Sequence, residues 1–457
     1  MTSYFSQHDE ALHALCQHFT GSIITPQGAN YEQARRVWNM RLDKRPALIA
    51  RCAGEQDVVH TIRVAREYHL PFSVRSGGHD ITARSLCDDG LVIDLSAMHA
   101  VTIDPATATA HVQGGATIHD LVAPAQTYGF ATTTGTISSV GLAGLTLGGG
   151  YGSLMGKCGL TIDNLLSAQV VTTDGQVLTA SATENSDLFW AIRGGGGNFG
   201  VMTAMRYRLY PISTVLAGPI LYSPDQARQI LCSYRTLIRA VPDELTIQIF
   251  FVQMPGVGPV LMLLPVYCGP LAEGERALQP FRQLGPGTPL ADQVQPMAYA
   301  DVFKLLDSSI PYGVQVSLKT QSVNELSDEI IDTLLEHAQR STSPMSGISI
   351  HHFHGTASRV GVHETAFATR HAHHLIEIVA VWDKHDPQDQ QHVQWAQQTS
   401  QALAPYALEG GYVNLLDESE QARIPFSYGP NYPRLLEAKR VYDPANVFNA
   451  AVASLTR

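Results

Sequence analysis

Residues 187–209 read DLFWAIRGGGGNFGVMTAMRYRL, and the order of elements around its glycines decides the fold reading. It contains a literal GxGxxG at Gly195, Gly197 and Gly200. A dinucleotide-binding βαβ unit needs that pattern after a strand and before a helix. Here DLFWAIR (187–193) has the texture of a helical turn, and VMTAMRYRL (201–209) alternates as a strand. Helix, glycines, strand is the reverse polarity, and it excludes the Rossmann reading. Two further glycine clusters lie upstream, Gly77-Gly78 and the run Gly141–Gly152. Glycine lets main-chain N–H groups converge on an anion and lets a flat ring lie directly on the backbone. Three such clusters together point to one large ligand with a phosphate portion and a planar portion.

Working outward, residues before Pro211 are dense in short strands. A strand is expected at 47–52, an amphipathic helix over 56–68, then PFSVRSGGHD (71–80) as a buried strand ending in a glycine turn, and a strand at 91–95. Hairpins are expected at 101–103 with 109–112, and at 168–172 with 177–180. In the second, Asp174-Gly175 predicts a primed turn. Beyond 211 the texture changes. Helical stretches (224–240, 326–341, 390–403) alternate with long apolar strands (245–253, 259–267, 345–354, 375–382). The expected organisation is a first domain over 1–212, a second α+β unit over 213–404, and a segment 405–457 that returns to the first domain. That segment carries a helix near 432–440 and is too short to bury a core alone.

Composition bounds the function. The chain has 457 residues, 44% of them hydrophobic and 16% charged, which excludes a disordered or coiled-coil protein. With 30 basic and 41 acidic residues the net charge is −11, the wrong sign for sequence-independent nucleic-acid binding. No apolar run approaches the roughly 20 residues of a membrane span, and the N-terminal stretch does not read as a signal peptide. Cys16, Cys52, Cys87, Cys158, Cys232 and Cys268 stand singly, which argues against a zinc site or a disulfide framework. The expectation is a soluble cytoplasmic protein, with no membrane or nucleic-acid partner and an open oligomeric state.

Four motifs then stand in order: RSGGHD (75–80), GTISSVGLAGLTLGGGYG (135–152), GLTIDNLLSAQVVTTDGQ (159–176) and DLFWAIRGGGGNFGV (187–201). With SRVGVHETAFATRH (358–371) and YGPNYPRLLEAKRVYDPANVF (428–448), they resemble the vanillyl-alcohol-oxidase/p-cresol-methylhydroxylase (PCMH) superfamily, and within it the berberine-bridge-enzyme-like branch of FAD-linked oxidases. Hydroxynicotine-oxidase-like and oligosaccharide-oxidase-like members look nearest. The resemblance implies an α+β fold: a two-part PCMH-type FAD-binding domain, and a substrate domain whose antiparallel sheet covers the flavin. It implies a covalent bond from His79 to the 8α-methyl of FAD. It also implies cofactor contacts from Arg75, Ser76, Gly77, Gly78 and Asp80. A second set is Gly135, Thr136, Ser139, Val140, Gly141, Gly144, Gly150 and Tyr151, and a third is Asn164, Gly200, Val201 and Asn431. Ile137 occupies the position at which many plant members carry a second, cysteinyl link, so a single link is expected and Cys158 reads as a small buried hydrophobe. Val140 maps to the position that gates dioxygen, and a small side chain there is compatible with an oxidase.

Hydride removal from a C–OH or C–N carbon requires a group to take the remaining proton. The resemblance gives that role to Tyr428, whose phenol (ordinary pKa about 10) would need a helper, with Lys319 and Arg370 as candidate cations. Tyr412 and Asn414 are expected to shape the same wall. Period-two alternation puts His352 and His354 on one strand face as pocket candidates. Tyr299 and Tyr312 are weaker ones, and His371, His373 and His374 form a second cluster. None of these groups has the convergence a metal needs. The leading reading is an FAD-dependent oxidase acting on a small organic molecule, with O2 as acceptor and H2O2 as product. A dehydrogenase with another acceptor and a non-catalytic flavin-binding module are the alternatives.

Overall fold

The computed structural model describes residues 2–308, 311–449 and 454–455. Three sheets organise the chain. In the first, Leu48–Arg51, Leu91–Asp94 and Phe72–Arg75 run parallel, with Ser22–Ile24 antiparallel at one edge. The helix Glu55–Glu67 makes the crossover between Leu48–Arg51 and Phe72–Arg75. It buries Val58, Ile62 and Ala65, one stripe at 3.6-residue spacing. Each such valine or isoleucine contributes about 1.5–3 kcal/mol on leaving water.

The second sheet is antiparallel, in the order Val101–Asp104, Thr109–Gln113, Val201–Arg208, Leu165–Val171, Val177–Ser181. The predicted second hairpin forms, but its turn is not primed. A primed type I′ turn needs positive φ at two successive residues, and in Asp174-Gly175 only Gly175 has it (φ +75°). Gly175 N–H donates to the Thr172 carbonyl and Thr172 N–H to the Gln176 carbonyl, so a tight turn is followed by a left-handed glycine. The helix Ser186–Ile192 and the strand Val201–Arg208 flank the glycine run in the polarity read from the sequence.

The third sheet has nine strands among the described residues, all paired antiparallel. At its centre lie Gly258–Tyr267, Leu245–Met254, Gly347–Phe353, His373–Trp382 and Gln315–Val323, side by side in that order. Helices Ala227–Leu237, Asp328–Gln339 and Asp389–Leu403 cover one face, burying Ile230, Ile331 and Trp395 against Ile348, Ile350, Ile376 and Ile378. Alternation along the strands leaves the residues between those isoleucines for the opposite face.

The C-terminal segment packs back on the helix Ser186–Ile192. Leu435 and Tyr428 share a core with Phe189 and Trp190. Lys439, buried, bonds Asp443 at 2.6 Å and also donates to the Asn198 and Phe448 carbonyls. These bonds fasten the glycine run to the helix Tyr432–Tyr442.

Candidate active site

One cleft of about 790 Å³ lies between the glycine-rich loops and the uncovered face of the third sheet. On the loop side Gly77 and Gly141 are pressed together: a Cβ on either would come within 2.3 Å of the other's backbone nitrogen. A Cβ on Gly144 or Gly197, by contrast, would meet nothing within 4 Å. Both line the cleft, so this wall is bare main chain, which fits a flat cofactor with a phosphate portion.

His79 lines the same cleft, after a left-handed turn at Gly78 (φ +67°) whose carbonyl accepts from Trp38 N–H at 2.9 Å. Its ring stacks on Trp38, with centroids 5.2 Å apart and planes 16° from parallel. Nε2 lies 2.8 Å from Ser139 Oγ, which leaves Nδ1 as the nitrogen available to another group. Burial lowers the His79 pKa to about 4, so the ring is neutral at pH 7 and keeps a nucleophilic lone pair.

Ser76, Gly77, Gly78 and Asp80 line the cleft beside His79. So do Gly135, Thr136, Val140, Gly141, Gly144, Tyr151, Gly200 and Val201 from the later motifs. Tyr412 and Asn414 also reach it: Tyr412 OH accepts from Gly150 N–H at 2.8 Å, and Asn414 Nδ2 donates to the Gly144 and Leu145 carbonyls at 3.2 Å. Gly150 and Ser139 therefore support the wall from behind. The Asp80 carboxylate accepts from Thr82, Arg84 and Ser85 main-chain N–H groups, so it shapes its own loop.

Several expected residues lie elsewhere. Tyr428 does not line the cleft; it is 1% exposed in the core behind the third glycine run, and its hydroxyl has no hydrogen-bond partner among the described residues. Burial pushes that phenol up, so it stays protonated at neutral pH. Lys319 is held by Asp417 and Ser419, and Arg370 by both oxygens of Asp163 at 2.8 and 2.9 Å, so neither cation assists a phenol. Arg75 donates to the Ala34 carbonyl, Asn164 to the Cys158 and Leu160 carbonyls, and Asn431 to the Val362 and Thr365 carbonyls. All three brace loops outside the cleft. Tyr299 is buried in the same core as Tyr428, whereas Tyr312 stands edge-on to the His79 ring at 5.6 Å.

His352 and His354 are on the wrong side of the strand. Ile348 and Ile350 turn to the helices, and parity sends His352 with them. His352 stacks on His354 (4.9 Å) and on His374 (4.8 Å), away from the cleft. The intervening residues, Ser349 and His351, face the cleft, and Ser349 pairs across the sheet with Glu377. His351 had no flag of its own in the sequence. Glu377 did: it is the lone charge in LIEIVAVW, and a carboxylate in a buried strand needs partners. It has three. Tyr151 OH donates to Oε1, Ser349 Oγ donates to Oε2 at 2.8 Å, and His351 Nε2 lies 3.2 Å from Oε2. Burial alone would raise the Glu377 pKa, but the His351 imidazole and the hydrogen bonds from His351, Tyr151 and Ser349 outweigh it and lower it to about 2. Burial and the Glu377 charge raise the Tyr151 phenol, which stays protonated. Trp38, also missed, lines the cleft beneath His79. Among the described residues no group of three or more His, Cys, Asp or Glu side chains could hold a metal ion.

Comparison with known proteins agrees with this geometry. Residues 46–181 match the family described as FAD binding domain, and residues 411–453 the family described as berberine and berberine like. The chain is 31% identical to the FAD-linked oxidoreductase YgaK of Bacillus subtilis, covering 94% of this chain and 95% of that one. It is 30% identical to (R)-6-hydroxynicotine oxidase of Paenarthrobacter nicotinovorans, again over 94% and 95% of the two chains. The solved structure of 6-hydroxy-D-nicotine oxidase from Arthrobacter nicotinovorans superimposes with a TM-score of 0.87 at 29% identity, covering 96% of this chain and 98% of that one. BBE-like 1 of Physcomitrella patens shares the fold, with a TM-score of 0.87 at 23% identity over 98% and 99% of the chains. With its glycine-walled cleft roofed by an antiparallel sheet, the chain belongs to the berberine-bridge-enzyme-like family of FAD-dependent oxidoreductases.

Proposed function

We propose that this oxidoreductase is an oxidase that removes hydride from a C–OH or C–N carbon of a small organic substrate, with FAD attached by a single bond to His79. Bound in the cleft, FAD would supply the two-electron acceptor, with O2 as the terminal oxidant and H2O2 as its product. The observation that carries the reading is the facing of two walls. One holds a neutral, oriented imidazole among bare main chain, and the other holds a hydrogen-bonded carboxylate.

The chain's own groups divide the work. Trp38 and Ser139 fix the His79 ring so that Nδ1 is the free nitrogen. Glu377 takes the proton that the substrate hydroxyl or amine releases, and Tyr151, Ser349 and His351 share the charge while the carboxylate is ionised. The role assigned from sequence to Tyr428 passes to Glu377 because a buried hydroxyl outside the cleft cannot reach a substrate. Ile137 lines the cleft at the position of the second, cysteinyl link, which supports attachment through His79 alone. Val140, a small side chain at the position read from the sequence as gating dioxygen, lines it too. Kinship with a hydroxynicotine oxidase supports oxidase chemistry.

The test is direct. Acid-denatured protein should keep its yellow colour, with the flavin on the peptide containing His79, and His79→Ala should release free FAD. Substrate-reduced enzyme should recolour in air within seconds. Recolouring only with an added organic acceptor would make the enzyme a dehydrogenase.

A further inference from the structure

Building on that reading of the cleft as an oxidation site, we infer that its substrate is a predominantly apolar molecule with a single hydroxyl or amine head group, and not an oligosaccharide. The argument is the distribution of polarity on the roof. The sheet face over the cleft presents Phe250, Val252, Met262, Leu318, Val379 and Val381, apolar side chains from four different strands. Apart from Gln253 near the exposed end of its strand, its polar groups are gathered in one corner, where Ser349 and Glu377 pair across neighbouring strands and His351 follows on the same face. That corner is already internally bonded, so it has room for one donor from a ligand: a carboxylate offers about four lone-pair sites, and Glu377 uses three of them.

A sugar carries a hydroxyl on nearly every ring carbon. Under this roof each would lose water and meet hydrocarbon, at a cost of about 1–3 kcal/mol per unpaired group. An apolar body gains from the same surface, and the two methionines there, Met254 and Met262, adapt to irregular shapes. The entrance is consistent with this, since Met345, 41% exposed, and Pro344 stand at its rim.

The test uses the holoenzyme and reads binding separately from turnover. Naphthalen-1-ylmethanol, 1-naphthylmethylamine and cellobiose are titrated anaerobically against the flavin absorption band. At least one naphthyl compound is expected to saturate at a concentration tenfold or more below cellobiose, and the alcohol and amine arms distinguish the head group. Cellobiose binding as tightly, or neither naphthyl compound binding, overturns the inference. Val379→Thr keeps the side-chain shape but adds a hydroxyl, so it should weaken naphthyl binding about fivefold or more; unchanged or tighter binding counts against the inference. Should a naphthyl compound bind selectively while nothing bleaches the flavin, the substrate class stands and the hydride-transfer reading falls. Bleaching by cellobiose alone does the opposite: hydride transfer stands and the apolar substrate class falls.

Discussion

At the scale of single residues, two tyrosines and a carboxylate separate what a motif suggests from what geometry permits. Tyr428 sits in a motif that resembles a catalytic one, yet its hydroxyl is buried without a partner. Tyr428→Phe therefore removes an unsatisfied group, and denaturant titration should find stability unchanged or raised by up to about 1 kcal/mol, with flavin reduction at the wild-type rate. Tyr151, by contrast, donates its hydroxyl to Glu377 inside the cleft. Glu377→Gln removes the proton acceptor while keeping the shape. Stopped-flow reduction should slow by about 10²–10⁴-fold, the usual worth of a positioned base, and wild-type speed would remove Glu377 from the mechanism. Trp38→Ala deprives the His79 ring of its stacking surface. The fraction of flavin that stays attached after denaturation should fall, while total FAD bound before denaturation changes less.

At the scale of elements, the strand Gly347–Phe353 shows why the pocket residues were misassigned from sequence. Alternation made it plain that His352 and His354 share a face, but not which face is roofed by helices. The isoleucines answer that: Ile348 and Ile350 must meet the helices, so Ser349 and His351 meet the cleft. A buried pair, Arg370 with Asp163, whose side chains are 4% and 9% exposed, also ties the segment that follows the third sheet's strand Gly347–Phe353 to the loop before Leu165–Val171. Removing one partner leaves an uncompensated buried charge, so Arg370→Met should cost about 3–5 kcal/mol. Equilibrium unfolding would measure it, and a loss below about 1 kcal/mol would mean that water reaches Asp163.

At the scale of the whole molecule, the buried histidines of the third sheet set the response to acid. Burial is the first cause in each case, and it lowers His354 and His373 to about 4 and His374 to about 3. A histidine whose folded pKa lies below its unfolded value of about 6.5 binds more protons when unfolded, so stability is full above that value and falls as pH drops toward the folded pKa. Glu377 acts in the same direction lower down, its contribution being lost as pH falls from its unfolded value toward about 2. The urea midpoint should therefore decline from about pH 6.5 to about pH 4, and His374→Leu should flatten the decline. A midpoint independent of pH over that window would show that these rings titrate normally.

By itself the sequence determined the class of fold and the cofactor wall. The inverted polarity around Gly195–Gly200, the helical stripe of Glu55–Glu67 and the strands flanking Asp174-Gly175 are local patterns, and local patterns are written in consecutive residues. Glycines next to His79 were legible for the same reason, since their use depends on backbone freedom and not on distant partners. Only the tertiary structure decided the other wall. Glu377, Ser349, His351 and Tyr151 come from three separate segments, and they meet because helix packing on one sheet face forces the strand side chains between the isoleucines to the other. Which face is covered is a property of the packed whole, and no spacing along the chain records it.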